Sequence, residues 1–170
     1  MERKIEEHAV VEQIPWTETC FGCNGGSNEG IGMRAYVTDD GCVVGLCRTK
    51  EGHQGFPGTV HGGLIAAYFD EVLWHATRLE ERDRIAMTVE IRVKYLRPVG
   101  TGLDVRIVAK PARTEGRHIY VDGFLLLPDD QVAAEAFVHY ISVRRTNDLN
   151  RTEPGRLKHP QTAGPDKVRF

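Results

Sequence analysis

The sequence predicts an α+β fold in which a curled antiparallel β-sheet wraps around one long helix. Three observations lead there. The stretch LIAAYFDEVLWHATRLEERD is apolar nearly all round over its first two-thirds, and a helix apolar on every face is normally buried. β-type runs flank it on both sides, with separators as short as Gly100-Thr101-Gly102, Glu115-Gly116-Arg117 and Pro128-Asp129-Asp130. Alternation of Val89, Ile91, Val93 and Tyr95 against Glu90, Arg92 and Lys94, and of Val105 and Ile107 against Arg106, marks antiparallel strands with one face inward.

Taken in order, residues 1–15 are charged and mixed and read as an N-terminal extension, and WTETCFGCNGGSNEGIG is a turn-rich leading loop. MRAYVTD and CVVGLCRT form a hairpin about Asp40-Gly41, a pair suited to positive φ. A second loop, EGHQGFPGTVHGG, leads into the helix. Four runs follow as a meander: AMTVEIRVKYLRPV, LDVRIVAKPART, HIYVDGFLLLP and QVAAEAFVHYISVRR. The domain therefore spans 16–145. Residues 146–170 lack a periodic apolar face and are expected to be a mobile or loosely docked tail.

At 170 residues, 41% hydrophobic and 27% charged, the chain has material for one core. A formal charge of −2 offers no positive field for nucleic acid or an anionic membrane, so small molecules are the expected partners. No apolar stretch approaches the roughly 20 residues of a membrane span, and MERKIEEHAVVEQ lacks the apolar core of a signal peptide. A cytoplasmic location is the expectation. Cys20, Cys23, Cys42 and Cys47 are too few for a disulfide framework and are read as unpaired thiols.

Chemistry concentrates at two places. In Gly58-Thr59-Val60-His61-Gly62-Gly63, a histidine and two glycines stand where the helix begins, so a ligand can approach unpaired N–H groups carrying partial positive charge. Such a site suits a developing oxyanion. Asp70 is a carboxylate midway along an apolar helix, which costs several kcal/mol unless the group is partnered or functional. Glu71, by contrast, begins a polar path toward Arg78, Glu81 and Arg82 and reads as solvent-facing. His61 and Asp70 are nine residues apart, so on a straight helix they lie about 13 Å apart along the axis on opposite faces. If both serve one reaction, Gly62 N–H of one subunit must meet Asp70 of another in a two-fold dimer.

GFPGTVHGGLIAAYFDE resembles the H-G-G-x(6)-D signature of hotdog-fold acyl-CoA thioesterases, particularly the phenylacetate-degradation (PaaI-type) branch. Cys20-Phe21-Gly22-Cys23 with Asn28-Glu29-Gly30-Ile31-Gly32 is similar to that family's opening motif, and Lys94-Tyr95-Leu96-Arg97-Pro98-Val99 to its strand motif after the helix. The similarity covers roughly residues 16–145. It implies acyl-CoA as substrate and homodimers joined side by side or dimers of dimers; no cofactor and no metal are expected. It assigns Asp70 as nucleophile or as base for water, Gly62 N–H as the group polarising the carbonyl, and His61 as positioning the loop or substrate. Thr88, eighteen residues after Asp70, takes the place of a Ser or Thr that helps hold the water. The chain has Gly55 where some members carry an Asn, so Gln54 beside it is the candidate substitute, and Gly63 joins the substrate loop. Trp74 is bulkier than expected after the Asp and would shorten an acyl pocket. Arg97, Arg113 and Arg117 are candidates for the phosphates of CoA.

Three other readings compete with this one. Zinc held by Cys20 and Cys23 with Cys42, Cys47 or His53 is disfavoured because alternation on a strand points Cys42 and Cys47 apart. A non-catalytic acyl-CoA sensor or scaffold is the principal alternative. A hydratase would need the acid and histidine differently placed.

Overall fold

A computed structural model describes residues 4–17, 19–23, 30–81, 85–143 and 164–170. In chain order these hold β1 (Glu7–Gln13), β2 (Arg34–Thr38), β3 (Val43–Arg48), a 3-10 turn (Glu51–His53), β4 (Gln54–Phe56), β5 (Thr59–Val60) and helix α1 (Gly62–Ala76). Beyond the helix come β6 (Ile85–Tyr95), β7 (Asp104–Ala109), β8 (Arg113–Glu115), β9 (His118–Leu126), β10 (Val132–Val143) and β11 (Lys167–Arg169). The main sheet runs β11-β1-β2-β3-β7-β9-β10-β6, antiparallel throughout, with β8 added to β9. β4 and β5 form a separate small hairpin inside the loop expected before the helix.

The expected hairpin is β2–β3. Gly41 takes φ 78° at its tip, and Thr38 Oγ1 donates to Asp40 Oδ1 at 2.6 Å, closing the turn. Three of the four runs expected as a meander form one, β7-β9-β10, but the first run, β6, is not next to β7. β6 pairs with β10 at the far edge, and β7 lies against β3 instead. Pairing β7 with β3 joins the strands before and after the helix into one surface, which gives α1 a continuous sheet to lie on. LDVRIVAKPART also splits in two around Pro111, which has no N–H for the ladder.

Helix α1 buries Ile65, Tyr68, Phe69, Val72, Leu73 and Ala76. They meet Val43, Ile107, Val121, Leu125, Val138 and Tyr140, all fully buried, in the main core. Full burial of each large side chain contributes about 1.5–3 kcal/mol, so this face fixes the helix. The opposite stripe is open, with Gly63 and Asp70 exposed and Ala66 and Ala67 half-buried. A single chain thus covers one side of a helix expected to be wrapped on all.

Both ends contribute strands to the sheet. β1, inside the supposed extension, pairs with β2, and β11, inside the supposed tail, pairs with β1. Glu6 and Phe170 exchange both backbone hydrogen bonds, at 2.9 and 3.0 Å. Val168 and Phe170 are buried with Cys42, Val44, Val108, Phe124 and Leu126 in a second cluster, and Phe170 stacks on His8 at 4.2 Å. Residues 164–170 are therefore docked, by the apolar pair in KVRF. The rest of the expected tail, 146–163, lies outside the described residues, as do 144 and 145. No helix among those described is long and apolar enough to cross a membrane.

Candidate active site

Helix α1 begins at Gly62 with His61 as its N-cap, and His61 Nδ1 accepts the Gly63 N–H at 2.9 Å. Leu64 and Ile65 N–H groups both donate to the His61 carbonyl, at 2.9 and 3.2 Å. Of the four N–H groups a helix leaves open at its start, only that of Gly62 finds no acceptor among the described residues. His61 therefore selects, by satisfying its neighbour, the N–H that remains open. Gly55 supports this arrangement: a Cβ there would stand 3.0 Å from His61 Cδ2 and 3.3 Å from its Cα. Gln54 does not reach the helix start in this arrangement, since its Oε1 accepts from the Gly58 N–H at 3.1 Å and closes the β4–β5 hairpin.

Asp70 lies on the open stripe of α1, exposed in the single chain. Thr88 Oγ1 donates to Asp70 Oδ1 at 2.7 Å, which orients the carboxylate and leaves Oδ2 without a partner among the described residues. A bulge in β6 sets this geometry: His139 and Tyr140 on β10 face Glu90 and Thr88, so Val89 is the extra residue. Bulges re-aim side chains near sites. Tyr140, whose phenol is raised above its usual range by burial and by the charges of Asp70 and Glu71, sits against the Asp70 backbone carbonyl at 3.4 Å. Gly62 and Asp70 are eight residues apart on one regular helix, hence about 12 Å along the axis. One chain does not bring them together.

Trp74, one turn beyond Asp70, is tied by its Nε1–H to the Ala86 carbonyl at 2.8 Å, so its bulk is fixed between helix and β6. Tyr95, at the other end of β6, donates its hydroxyl to the Gly62 carbonyl at 2.8 Å. Arg97 follows Tyr95 and is exposed. Arg117 donates to the Ser142 carbonyl at 3.1 Å, and Ser142 pairs with Ala86 at the start of β6. The two arginines thus stand at opposite ends of β6, roughly 30 Å apart at about 3.4 Å per residue. Arg113 is paired with Glu115 and lies over the Tyr120 ring at 4.3 Å.

The two acidic neighbours exchange the roles the sequence suggests. Glu71 is the one sunk into the protein, its side chain 19% exposed and 3.5 Å from His75 Nε2. Cys42 and Cys47 fall into the outer and inner clusters respectively, pointing apart as expected, and burial pushes both thiols up to about 12. Neither is a nucleophile near neutral pH. His53 engages Tyr68, with Nδ1 and the hydroxyl 2.7 Å apart.

Known proteins share these features. The thioesterase superfamily profile matches residues 57–134, which carry the helix start, Asp70 and Thr88. Acyl-coenzyme A thioesterase 13 of Homo sapiens is 32% identical over 69 residues, 41% of this chain and 49% of that one, and its Pongo abelii counterpart matches equally. The chain thus spans about half the length of the curated relatives it matches. Among solved structures, a thioesterase superfamily protein superposes with TM-score 0.58 at 25% identity, covering 66% of this chain and 62% of its own. The PaaI protein of the Escherichia coli phenylacetic acid degradation operon superposes with TM-score 0.59 at 16% identity, over 68% and 83%. With one helix laid on an antiparallel sheet, the chain has the hotdog fold; its matched segment, which holds that helix, is similar to the thioesterase superfamily, and the chain resembles the PaaI-type branch.

Proposed function

We propose that the protein hydrolyses acyl-CoA thioesters at two equivalent sites, each shared across a homodimer. The observation that carries this reading is the construction of β6: Thr88 near one end holds Asp70, and Tyr95 at the other holds Gly62. β6 is an eleven-residue edge strand with no partner on its outer side among the described residues. Two copies pairing these edges antiparallel about a two-fold axis set Thr88 of one opposite Tyr95 of the other, bringing Asp70 to the partner's helix start. Met87, Val89, Tyr95 and Leu96, 44–57% exposed, would be covered by that pairing.

In such a site the thioester oxygen lies against the open Gly62 N–H and the positive end of α1. Asp70 Oδ2 takes a proton from water held beside the Thr88 hydroxyl, and the resulting hydroxide adds to the carbonyl carbon. The tetrahedral oxyanion is stabilised by the Gly62 N–H. Its collapse breaks the C–S bond, and the departing CoA thiolate recovers the proton from Asp70. The free acid and CoA leave. Arg97 lies at the Gly62 end and Arg117 at the Asp70 end, so the same pairing would bring Arg97 of one subunit toward Arg117 of the other, within reach of CoA phosphates. Trp74 limits the depth available to the acyl chain.

Release of thiol from a panel of short, medium, long and aromatic acyl-CoAs tests the reading. Asp70→Asn is expected to lower kcat by roughly 10²–10⁴-fold, the usual weight of a positioned base, with the dimer intact by sedimentation. Single turnover in ¹⁸O-water should leave Asp70 unlabelled, whereas label in its carboxylate would assign it as nucleophile. Acyl-CoA binding without turnover on any thioester would move the sensor reading to first place.

A further inference from the structure

The leading loop folds back on α1 at Glu71, beside the proposed base but on another face of the helix. Cys20 Sγ lies 3.6 Å from each carboxylate oxygen of Glu71, and the ligand atoms of Cys20, Cys23 and Glu71 all lie within 4.8 Å of one another. The Cys23 N–H donates to Cys20 Sγ at 3.3 Å, and the Gly22 N–H is directed at the same sulfur. Two backbone donors on the first sulfur of a C-x-x-C turn favour its thiolate and hold both sulfurs on one side of the chain.

The surroundings fit a cation better than they fit three acidic groups alone. Glu71 is largely buried, and a carboxylate facing two thiols at this depth gains little unless positive charge joins it. Gly22 permits the close approach: a Cβ there would collide with the Glu71 carboxylate. The turn is pinned from behind, because the Ile31 and Met33 N–H groups donate to the Phe21 and Gly22 carbonyls, each at 2.9 Å. His75, four residues after Glu71 on the same helix face, presents Nε2 at 3.5 Å from Glu71 Oε1. Zinc bonds of about 2.3 Å to sulfur and about 2.1 Å to oxygen at a tetrahedral angle place the two ligand atoms about 3.6 Å apart, the separation found between Cys20 and Glu71.

We propose that Cys20, Cys23 and Glu71 bind a divalent transition-metal ion of the zinc class, with His75 or a water in the fourth position, fastening the leading loop to the middle of α1. Binding releases the two thiol protons to solvent, and Cys23 gives up its present donation to the Thr17 carbonyl at 3.8 Å. The donor set of two soft sulfurs and a carboxylate matches zinc or cobalt(II) rather than calcium or magnesium. The site is structural, lying outside the route proposed for hydrolysis.

Cobalt(II) titrated into the reduced, chelator-treated full chain tests this. The expected result is a thiolate-to-cobalt charge-transfer band with the visible d–d bands of a tetrahedral site, both displaced by zinc, and protection of two of the four cysteines from a thiol reagent when zinc is present. Cys20→Ser and Cys23→Ser abolish the charge-transfer band, Cys42→Ala leaves it, and Glu71→Gln weakens cobalt affinity by at least about tenfold. Absence of the band in the wild type, or its survival in Cys20→Ser, overturns the proposal. So does equal thiol reactivity with and without zinc, a readout on the unmodified chain that does not depend on any variant folding. A Cys20–Cys23 disulfide formed in air and insensitive to zinc after reduction would also overturn it, in favour of a redox pair.

Discussion

His53 is buried, and its Nδ1 accepts from the Lys50 N–H at 3.3 Å and from the Tyr68 hydroxyl at 2.7 Å. Both donors need the lone pair, so the proton sits on Nε2, which has no partner. Burial, aided by the charge of Lys50, lowers the pKa below the ordinary 6.5. Below 6.5 the unfolded chain binds a proton that the folded chain refuses, so stability falls with falling pH until the folded value is reached. The slope from this one group is at most about 1.4 kcal/mol per pH unit. Urea unfolding above and below 6.5 should show His53→Gln losing less stability on acidification than wild type, and equal losses would remove His53 as the cause. Single residues were unevenly legible in the sequence. Asp70 stands out in the sequence because a carboxylate in an apolar run demands an explanation, but its exposure in one chain and the burial of Glu71 are not visible there. Helical periodicity does not say which of two adjacent acids meets a loop some fifty residues earlier. In the sequence the candidate partners of Cys20 and Cys23 are other cysteines and His53, whereas the structure offers Glu71.

Helix α1 shows how a motif becomes geometry at the scale of an element. The H-G-G run predicted a helix start with open N–H groups, and the structure adds that His61 closes one of them by capping. His61→Ala should lower stability by about 1 kcal/mol, the usual weight of an N-cap side chain, measured by denaturant unfolding at fixed protein concentration. A change of only a few tenths would mean that the cap contributes little. Strand β6 was recognised by its alternation, yet Val89 is 57% exposed rather than turned inward, because the bulge shifts the pairing at that residue. Periodicity alone carries no mark of a bulge. β11 escaped notice for a related reason: three residues in a polar segment become a strand only when β1 is already in place to receive them.

On the scale of the whole molecule, the proposed chemistry depends on β6 edges meeting. Val89→Lys places like charges near each other across that seam, which disfavours pairing. Sedimentation should show the variant as a monomer, with thioester hydrolysis lost although Asp70 and Gly62 are untouched. A monomer that kept full turnover would separate the reaction from assembly. Fold class was largely legible because burying an apolar helix leaves few architectures. The strand order was not, since short separators are compatible with several antiparallel paths.

The two margins of the sheet are unequal. One ends in β11, three residues long, and the other in β6, eleven residues long. A bare strand margin is a template for endless addition of further copies, and this protein keeps one such margin to a stub while leaving the other at full length. Once two copies have joined through β6, neither has a comparable margin among its described residues to offer a third. Growth stops at two along that direction, so the same geometry that would complete the reaction centre also guards against fibre formation.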